Sequence, residues 1–262
     1  MDLNLTGKRA LVCGSSQGIG KACALELANL GCSVTLFARN LDKLNAVKAE
    51  LDQSQGQKHW VLVADFSQPL EVKAAIEQHI AETGVIEILV NNTGGPAPGP
   101  AHSTDAADFM AAFQLHLVSN QYLMQALLEG MKVKGYGRII NVISTSVKQP
   151  IAGLGVSNTV RGAVASWSKT LATELGPFGI TVNNVLPGAT ATVRLDSIFK
   201  NKAAKQNKTV EQVAEEEKSI IPLRRFAQAS EFANVVAFLA SPAAAYVTGI
   251  NLPVDGGRTL CL

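Results

Sequence analysis

The stretch Arg9–Gly20, RALVCGSSQGIG, decides the fold class of this chain. An apolar run, Arg9–Cys13, leads into three glycines, and a helical pattern starts directly behind them. Gly14 allows a sharp turn, Gly18 allows the backbone to approach a phosphate, and Gly20 allows a helix to pack closely on a sheet. Because a helix N-terminus offers free N–H groups to anions, this strand–turn–helix unit predicts a site for the pyrophosphate of a dinucleotide.

A tight turn that binds nothing is the alternative interpretation of the glycine loop. Its position before an amphipathic helix favours the dinucleotide site, because apolar residues follow a helical stripe at Ile19, Cys23, Leu27 and Leu30. The loop residues expected to contact the dinucleotide are Gly14, Ser15, Ser16, Gln17, Gly18, Ile19 and Gly20.

Outward from this unit, short β-rich runs alternate with longer helical patterns. The runs are continuously apolar, as are strands of a parallel sheet covered on both faces. The predicted strands are Arg9–Cys13, Ser33–Ala38, Trp60–Ala64, Ile88–Asn91, Arg138–Ile143, Thr181–Leu186 and Ile250–Val254. This alternation predicts an α/β protein: a single-domain, doubly wound Rossmann fold with a seven-stranded parallel sheet and helices on both faces.

The chain shows no boundary between two domains, since no linker rich in Pro, Gly and Ser divides it. Residues 1–262 are therefore expected to form one dinucleotide-binding domain. The composition changes at 190–222, where a group of lysines precedes a group of glutamates. Because this segment follows a strand end, it is predicted to be a substrate lid or loop with a solvated, ion-paired face. An entry path for an acidic substrate is the alternative.

Composition excludes several classes of protein. Charged residues make up only 17% of the 262 residues and hydrophobic residues 47%, so the chain is not intrinsically disordered. No apolar run is long enough to cross a membrane, and a net charge of +2 provides no basic surface for nucleic acid. The scarcity of charge indicates helix faces that are buried in an oligomer.

The cysteines indicate a reducing compartment. Their spacings match no zinc pattern, so we expect free thiols and no metal site at Cys13, Cys23, Cys32 and Cys261. The N-terminal sequence MDLNLTGKRALV lacks a secretory signal. A cytoplasmic protein is therefore expected.

The end of the second predicted strand indicates which dinucleotide is bound. A site for NAD places a carboxylate about 20 residues past the glycines, to bind the ribose 2′-OH. Here the chain has Ala38-Arg39-Asn40 instead, and Arg39 suits a 2′-phosphate. NADP(H) is therefore predicted, with Arg39 and Asn40 in its site. A solvated Arg39, with Asp42 binding NAD, is the alternative.

Six motifs in order along the chain resemble those of the short-chain dehydrogenase/reductase family, in its β-ketoacyl carrier-protein reductase-like branch. They are CGSSQGIG, Asp65-Phe66, Asn91-Asn92-Thr93-Gly94, Pro187-Gly188 with Thr192, Val247-Thr248-Gly249, and Val254-Asp255-Gly256-Gly257. The resemblance implies that Asp65 and Phe66 border the adenine. It also implies that Asn91, Thr93 and Gly94 contact the cofactor and that Pro187, Gly188 and Thr192 cradle its nicotinamide.

The catalytic positions depart from the family pattern of Asn, Ser, Tyr and Lys. Ser144 keeps the family serine, whereas Ser157 and Arg161 stand in the frame of the tyrosine and lysine, and His116 stands in place of the asparagine. A serine hydroxyl is a far weaker acid than a phenol, and Arg161 can orient but not relay a proton. His116 is expected to titrate near neutrality, or else to be an interior or interface histidine. Ser157 has an alternative role as a helix N-cap.

Two functions follow from these residues. The first is an NADP(H)-dependent oxidoreductase that reduces a ketone or keto-acyl group, or oxidises the alcohol, with a modified proton relay. Its catalytic residues are then Ser144, Ser157, Arg161 and His116, and Arg161 also contacts the cofactor. The alternative is a non-catalytic NADP(H)-binding regulator or sensor. An NAD-linked sugar dehydrogenase is disfavoured by Arg39.

The resemblance also implies a homotetramer. In the family, the helices corresponding to 105–131 and 157–176 form the main subunit contact, and both are sparse in charge here. A second contact is expected near the C-terminal residues Leu260, Cys261 and Leu262.

Overall fold

Residues 1–261, which the computed structural model describes, contain a parallel sheet of seven strands in the order β3-β2-β1-β4-β5-β6-β7. The strands are β1 (Arg9–Cys13), β2 (Ser33–Ala38), β3 (Trp60–Val63), β4 (Ile88–Asn91), β5 (Gly137–Val142), β6 (Ile180–Pro187) and β7 (Asn251–Val254). The predicted fold class and strands are confirmed, with boundaries that differ by at most one residue. Leu262, a residue of the predicted second subunit contact, lies outside the described residues.

Helices cover both faces of the sheet. They are α1 (Gly18–Asn29), α2 (Leu41–Lys48), α3 (Pro69–Thr83), α4 (Ala106–Phe113), α5 (Ser119–Lys134), α6 (Gly155–Leu175), α7 (Val193–Gln206), α8 (Val210–Ser219) and α9 (Ala229–Ala240). Successive strand residues point to opposite faces. Accordingly, Ala10 and Val12 belong to the core under α1, α2 and α9, whereas Leu11 and Cys13 belong to the core under α3, α5 and α6. This double burial explains the continuously apolar strands.

The sheet changes its winding direction at β1. This strand pairs with β2 on one side and with β4 on the other, so the connections after β1 and after β4 leave to opposite sides. In doubly wound sheets, a ligand crevice opens beyond the carboxyl ends of the strands at such a point. The fold therefore places the glycine loop, which follows β1, at the mouth of the crevice.

The segment 190–222 contains two helices, α7 and α8, rather than an extended loop. A small core of Phe199, Ala203 and Val213 holds them together. The predicted pairing of lysines with glutamates is present, with Nζ–Oε1 distances of 2.6 Å for Lys202–Glu217 and for Lys208–Glu216. The segment is thus a helical hairpin that begins beside the crevice at Thr192.

The long helix predicted over 105–131 is interrupted. Between α4 and α5 lies one π-helical turn, Gln114–Val118, which contains His116. Such turns insert one residue into a helix and occur frequently at functional sites. Among residues 1–261, no helix is both long and apolar enough to span a membrane.

Candidate active site

The glycine loop between β1 and α1 has a left-handed backbone that favours glycine. Gly14 and Gly18 have φ angles of +59° and +58°. A Cβ at Gly14 would lie 2.4 Å from the carbonyl oxygen of Asn92, and one at Gly20 would lie 2.3 Å from the carbonyl oxygen of Gly14. The loop therefore packs directly against the end of β4. The N-terminus of α1 begins at Gly18 and offers its free N–H groups beside the crevice.

A cleft of about 990 Å³ lies at this end of the sheet. Most of the residues predicted to bind the dinucleotide line it: Gly14, Ser16, Gln17, Gly18, Ile19, Arg39, Asn40, Asp65, Phe66, Thr93, Gly94 and Thr192. Residues that were not predicted to contact the dinucleotide also line it: Ala38, Lys43, Ser67, Asn92, Gly95, Leu115, Val193 and Arg194. The volume is that of a pocket for a small organic ligand or cofactor.

Several predicted contact residues support the wall of the cleft instead of lining it. Ser15 is buried, and its Oγ accepts a hydrogen bond from the backbone N–H of Phe37 at 2.9 Å. Asn91 is also buried, and its Nδ2 donates to Oδ1 of Asn141 at 2.8 Å. Oγ of Ser15 and Nδ2 of Asn91 are therefore used within the fold, whereas the buried Oδ1 of Asn91 has no hydrogen-bond partner within residues 1–261. The other predicted cofactor contacts that do not line the cleft are Gly20, Arg161, Pro187 and Gly188. The predicted catalytic residues Ser144, Ser157 and His116 do not line it either.

Basic side chains stand at the β2 end of the cleft. Arg39 is largely exposed, and its Nη1 lies 3.6 Å from Oδ2 of Asp65. The pKa of Asp65 is lowered, mainly by the hydrogen bond from the backbone of Ser67 and also by the charge of Arg39. Lys43 lines the same end of the cleft, one helical turn after Asn40. The backbone N–H of Lys43 donates a hydrogen bond to Oδ1 of Asn40 at 2.9 Å. Two cations therefore face this end of the cleft.

Three of the predicted catalytic residues follow β5. Ser144 caps the turn after the strand, and its Oγ accepts from the backbone N–H of Ser146 at 3.1 Å. Ser157 lies inside α6, whose N-cap is Leu154, so the alternative that Ser157 is a helix N-cap is wrong. Arg161 follows Ser157 by one helical turn, on the same side of α6. It is buried, and its Nη1 donates to the carbonyl oxygen of Val142 at 3.2 Å.

His116 is an interior histidine in contact with the cleft wall. Its Nδ1 shares a hydrogen bond with Oγ1 of Thr93 at 2.6 Å, and its buried Nε2 has no hydrogen-bond partner within residues 1–261. The pKa of His116 is lowered to about 2, mainly by burial and also by the charges of Arg161 and Arg194. The expectation that His116 titrates near neutrality is therefore wrong: the imidazole is neutral throughout the physiological range.

Arg194 is a site residue that the sequence did not indicate. It lies in the first turn of α7, and its guanidinium reaches Gly95, which also lines the cleft. A Cβ at Gly95 would lie 2.9 Å from Nη2 of Arg194 and 3.9 Å from Nη2 of Arg161. Burial lowers the pKa of Arg161 to about 10, and the charge of Arg194 adds to this shift. The only sequence signal for Arg194 was its place two residues after Thr192.

The sheet order and the glycine loop in the cleft define the class: doubly wound α/β proteins that bind dinucleotides at the switch point. A family model described as enoyl-(acyl carrier protein) reductase matches residues 14–259. The chain belongs to the short-chain dehydrogenase/reductase family. Within residues 1–261, no group of three His, Cys, Asp or Glu side chains could hold a metal ion.

Relatives and solved structures cover nearly the whole chain. The NADPH-dependent reductase BacG of Bacillus subtilis is 34% identical over 97% of this chain and 98% of its own length. The 3-oxoacyl-[acyl-carrier-protein] reductase FabG of Haemophilus influenzae is 34% identical over 98% of this chain and 100% of its own length. The crystal structure of L-sorbose reductase from Gluconobacter frateurii, complexed with NADPH and L-sorbose, is 31% identical and covers 100% of both chains with a TM-score of 0.94.

Proposed function

We propose that this protein is an NADP(H)-dependent oxidoreductase that reduces a ketone or keto-acyl group, or oxidises the corresponding alcohol. The observation that carries the proposal is the glycine loop, which packs on β4 and presents the N-terminus of α1 to the cleft. The names of relatives support it, since BacG is an NADPH-dependent reductase and FabG reduces a 3-oxoacyl group.

The residues of the cleft fit an NADP(H) molecule. The N–H groups at the start of α1 suit the pyrophosphate, and Arg39 with Lys43 suits the 2′-phosphate, because cations and phosphate oxygens form charge-assisted hydrogen bonds. Phe66 and Asp65 would border the adenine, and Thr93, Gly94 and Thr192 would lie toward the nicotinamide. The L-sorbose reductase structure holds NADPH, which supports this choice.

The proposed chemistry needs a proton as well as a hydride. The bound cofactor supplies the hydride. The hydroxyl of Ser144 orients the carbonyl oxygen, and water held by Ser144 and Ser157 delivers the proton. Arg161 stays charged and stabilises negative charge without relaying a proton. His116 is neutral, so it contributes a fixed hydrogen bond to Thr93 and not an imidazolium acid.

The alternative function is a non-catalytic NADP(H)-binding sensor or regulator. The observation that favours it is the pair Ser157 and Arg161, neither of which can supply the acid that a phenol and an ammonium would. Loss of general acid–base catalysis slows a reaction by about 10²–10⁴-fold, which leaves hydride transfer measurable. Turnover therefore separates the two functions.

Calorimetry with NADPH and with NADH tests the cofactor proposal, and a panel of ketones and oxo acids then tests turnover. We expect NADPH to bind more tightly and at least one carbonyl compound to be reduced. Equal affinities, or tighter binding of NADH, would show that the interpretation of Arg39 is wrong. Activity that appears only in a Ser157→Tyr/Arg161→Lys variant would support the sensor.

We further propose a cytoplasmic homotetramer built from one domain, residues 1–262, in which 190–222 covers the substrate. Free buried thiols at Cys13, Cys23 and Cys32 support the compartment. Exposed apolar side chains on and beside the expected contact helices, Met110, Phe113, Val133 and Phe178, support the assembly. Light scattering is expected to give the mass of four chains, and a monomer would contradict this proposal.

A further inference from the structure

Two arginines from different helices converge on Gly95, a residue that lines the cleft. Arg161 comes from α6, and Arg194 comes from the first turn of α7. Both guanidinium groups approach Gly95, which has no side chain that could separate them. The charges of both arginines also lower the pKa of His116, which shares a hydrogen bond with Thr93 in the wall of the cleft.

No protein carboxylate neutralises this pair. Within residues 1–261, neither Arg161 nor Arg194 forms an ion pair with Asp or Glu. Arg161 is only 7% exposed, and one backbone carbonyl, that of Val142, accepts a hydrogen bond from it. A buried charge beside a like charge is unfavourable unless an opposite charge compensates it. The surroundings add no negative charge, because His116 and Thr93 are neutral.

An anionic group of a ligand would compensate the positive charge of the two arginines. A guanidinium presents several N–H donors in a plane, which matches the two oxygens of a carboxylate or the oxygens of a phosphate. Arg161 lies one helical turn after Ser157, so the anion would sit next to the carbonyl group that reacts. Arg194 comes from the segment 190–222 and would close over the same anion.

We propose that Arg161 and Arg194 form a receptor for the carboxylate of the substrate, so that this protein acts on oxo acids in preference to neutral ketones. The proposal rests on the reductase function proposed above and specifies its substrate class. The pyrophosphate of the dinucleotide is the other source of an anion at this point, and the experiment below distinguishes the two.

The test compares acetoacetate and levulinate with their methyl esters, which keep the ketone and lose the charge. The variants are Arg194→Gln, the charge-preserving Arg194→Lys, and Lys200→Gln as a control. Lys200 lies on the exposed side of the same helix and outside the cleft, so its substitution removes one positive charge without touching the pair. For each protein, kcat/KM is measured for acid and ester, and the Kd of NADPH is measured by calorimetry.

We expect wild type to prefer the acids, and Arg194→Gln to lower the acid-to-ester ratio of kcat/KM by about tenfold or more, as loss of a charged hydrogen bond does. Arg194→Lys should restore part of the ratio, and Lys200→Gln should leave it near the wild-type value. An unchanged ratio in Arg194→Gln would overturn the proposal. If that unchanged ratio came with a weaker Kd for NADPH, Arg194 would belong to the pyrophosphate site.

Failure of the reductase function would be recognised separately, as no reduction of any acid or ester. Calorimetry with valerate, an unreactive carboxylate, on the protein saturated with NADP⁺ would then test the arginine pair. We expect valerate to bind wild type and to bind Arg194→Gln about tenfold more weakly. Absence of binding to wild type, or equal binding to both proteins, would overturn the carboxylate receptor.

Discussion

His116 makes the folded protein sensitive to acid, although the residue itself stays neutral in the fold. Its ring has 1% exposure, is bonded through Nδ1 to Thr93, and lies near the charges of Arg161 and Arg194. In the unfolded chain the same imidazole is solvated and takes up a proton near its ordinary pKa of 6.5. Because the unfolded state binds more protons below that pH, the free energy of unfolding falls as the pH is lowered.

The magnitude follows from the two pKa values. The pKa of His116 in the folded protein is about 2, so unfolding takes up nearly one proton below pH 6.5. The free energy of unfolding therefore falls by about 1.4 kcal/mol for each pH unit below 6.5. At pH 5, this linkage amounts to about 2 kcal/mol relative to pH 8. The contribution is fully present above pH 6.5 and is lost as the pH falls through the range between the two values.

Urea unfolding, followed by circular dichroism at several pH values from 5 to 8, measures this effect in wild type and in His116→Gln. We expect wild type to lose about 2 kcal/mol more than the variant over this range. The matched control is His102→Gln, which removes an exposed imidazole and should retain the wild-type slope. His79, whose pKa burial also lowers, is present in all three proteins and cancels. Parallel profiles for wild type and His116→Gln would show that the buried His116 does not cause the loss of stability in acid.

Three further predictions concern the cofactor site and the proton relay. In calorimetry, Arg39→Ala should weaken NADPH binding by about tenfold or more and leave the Kd of NADH near the wild-type value, because only the 2′-phosphate loses a charged hydrogen bond. Equal weakening of NADPH and NADH binding would contradict this prediction. Gly20→Ala should lower the free energy of unfolding, measured by urea unfolding, by about 1–3 kcal/mol, because its Cβ would lie 2.3 Å from the carbonyl oxygen of Gly14. Gly162→Ala is the matched control: its Cβ would have no atom within 4 Å, so the free energy of unfolding should rise by about 0.4–1 kcal/mol. Ser157→Tyr/Arg161→Lys should raise kcat for ketone reduction by up to about 10²–10⁴-fold if general acid catalysis is what the native residues lack; an unchanged kcat would show that proton delivery does not limit the rate.

The architecture was predictable because its signals are local. The continuously apolar strands gave the parallel sheet, and Arg9–Gly20 placed the strand, the turn and the helix in one unit. Where the predicted elements differ from the observed ones, tertiary contacts determine the structure. The π-helical turn at Gln114–Val118 interrupts a pattern that reads as one helix, and the helices of 190–222 depend on a core of their own.

The candidate site was predictable only in part. Residues whose backbone makes the cleft, such as Gly14 and Gly18, follow from their spacing. Ser15 and Asn91 lie among cofactor motifs, but their side chains are bonded within the fold, and spacing does not reveal in which direction a side chain points. Arg194 and Arg161 approach the same residue, Gly95, from different helices, and the pKa of His116 depends on burial and on those two charges. Such juxtapositions arise from the tertiary structure.

The most direct test of the account is deuterium transfer from NADPH labelled at the hydride that the nicotinamide donates. Wild-type protein is incubated with this NADPH and with acetoacetate, levulinate and their methyl esters, and the alcohol products are analysed by mass spectrometry. We predict deuterium on the carbinol carbon, with the acids labelled faster than the esters. Tight binding of NADPH without label in any product would contradict the reductase function and favour a cofactor sensor.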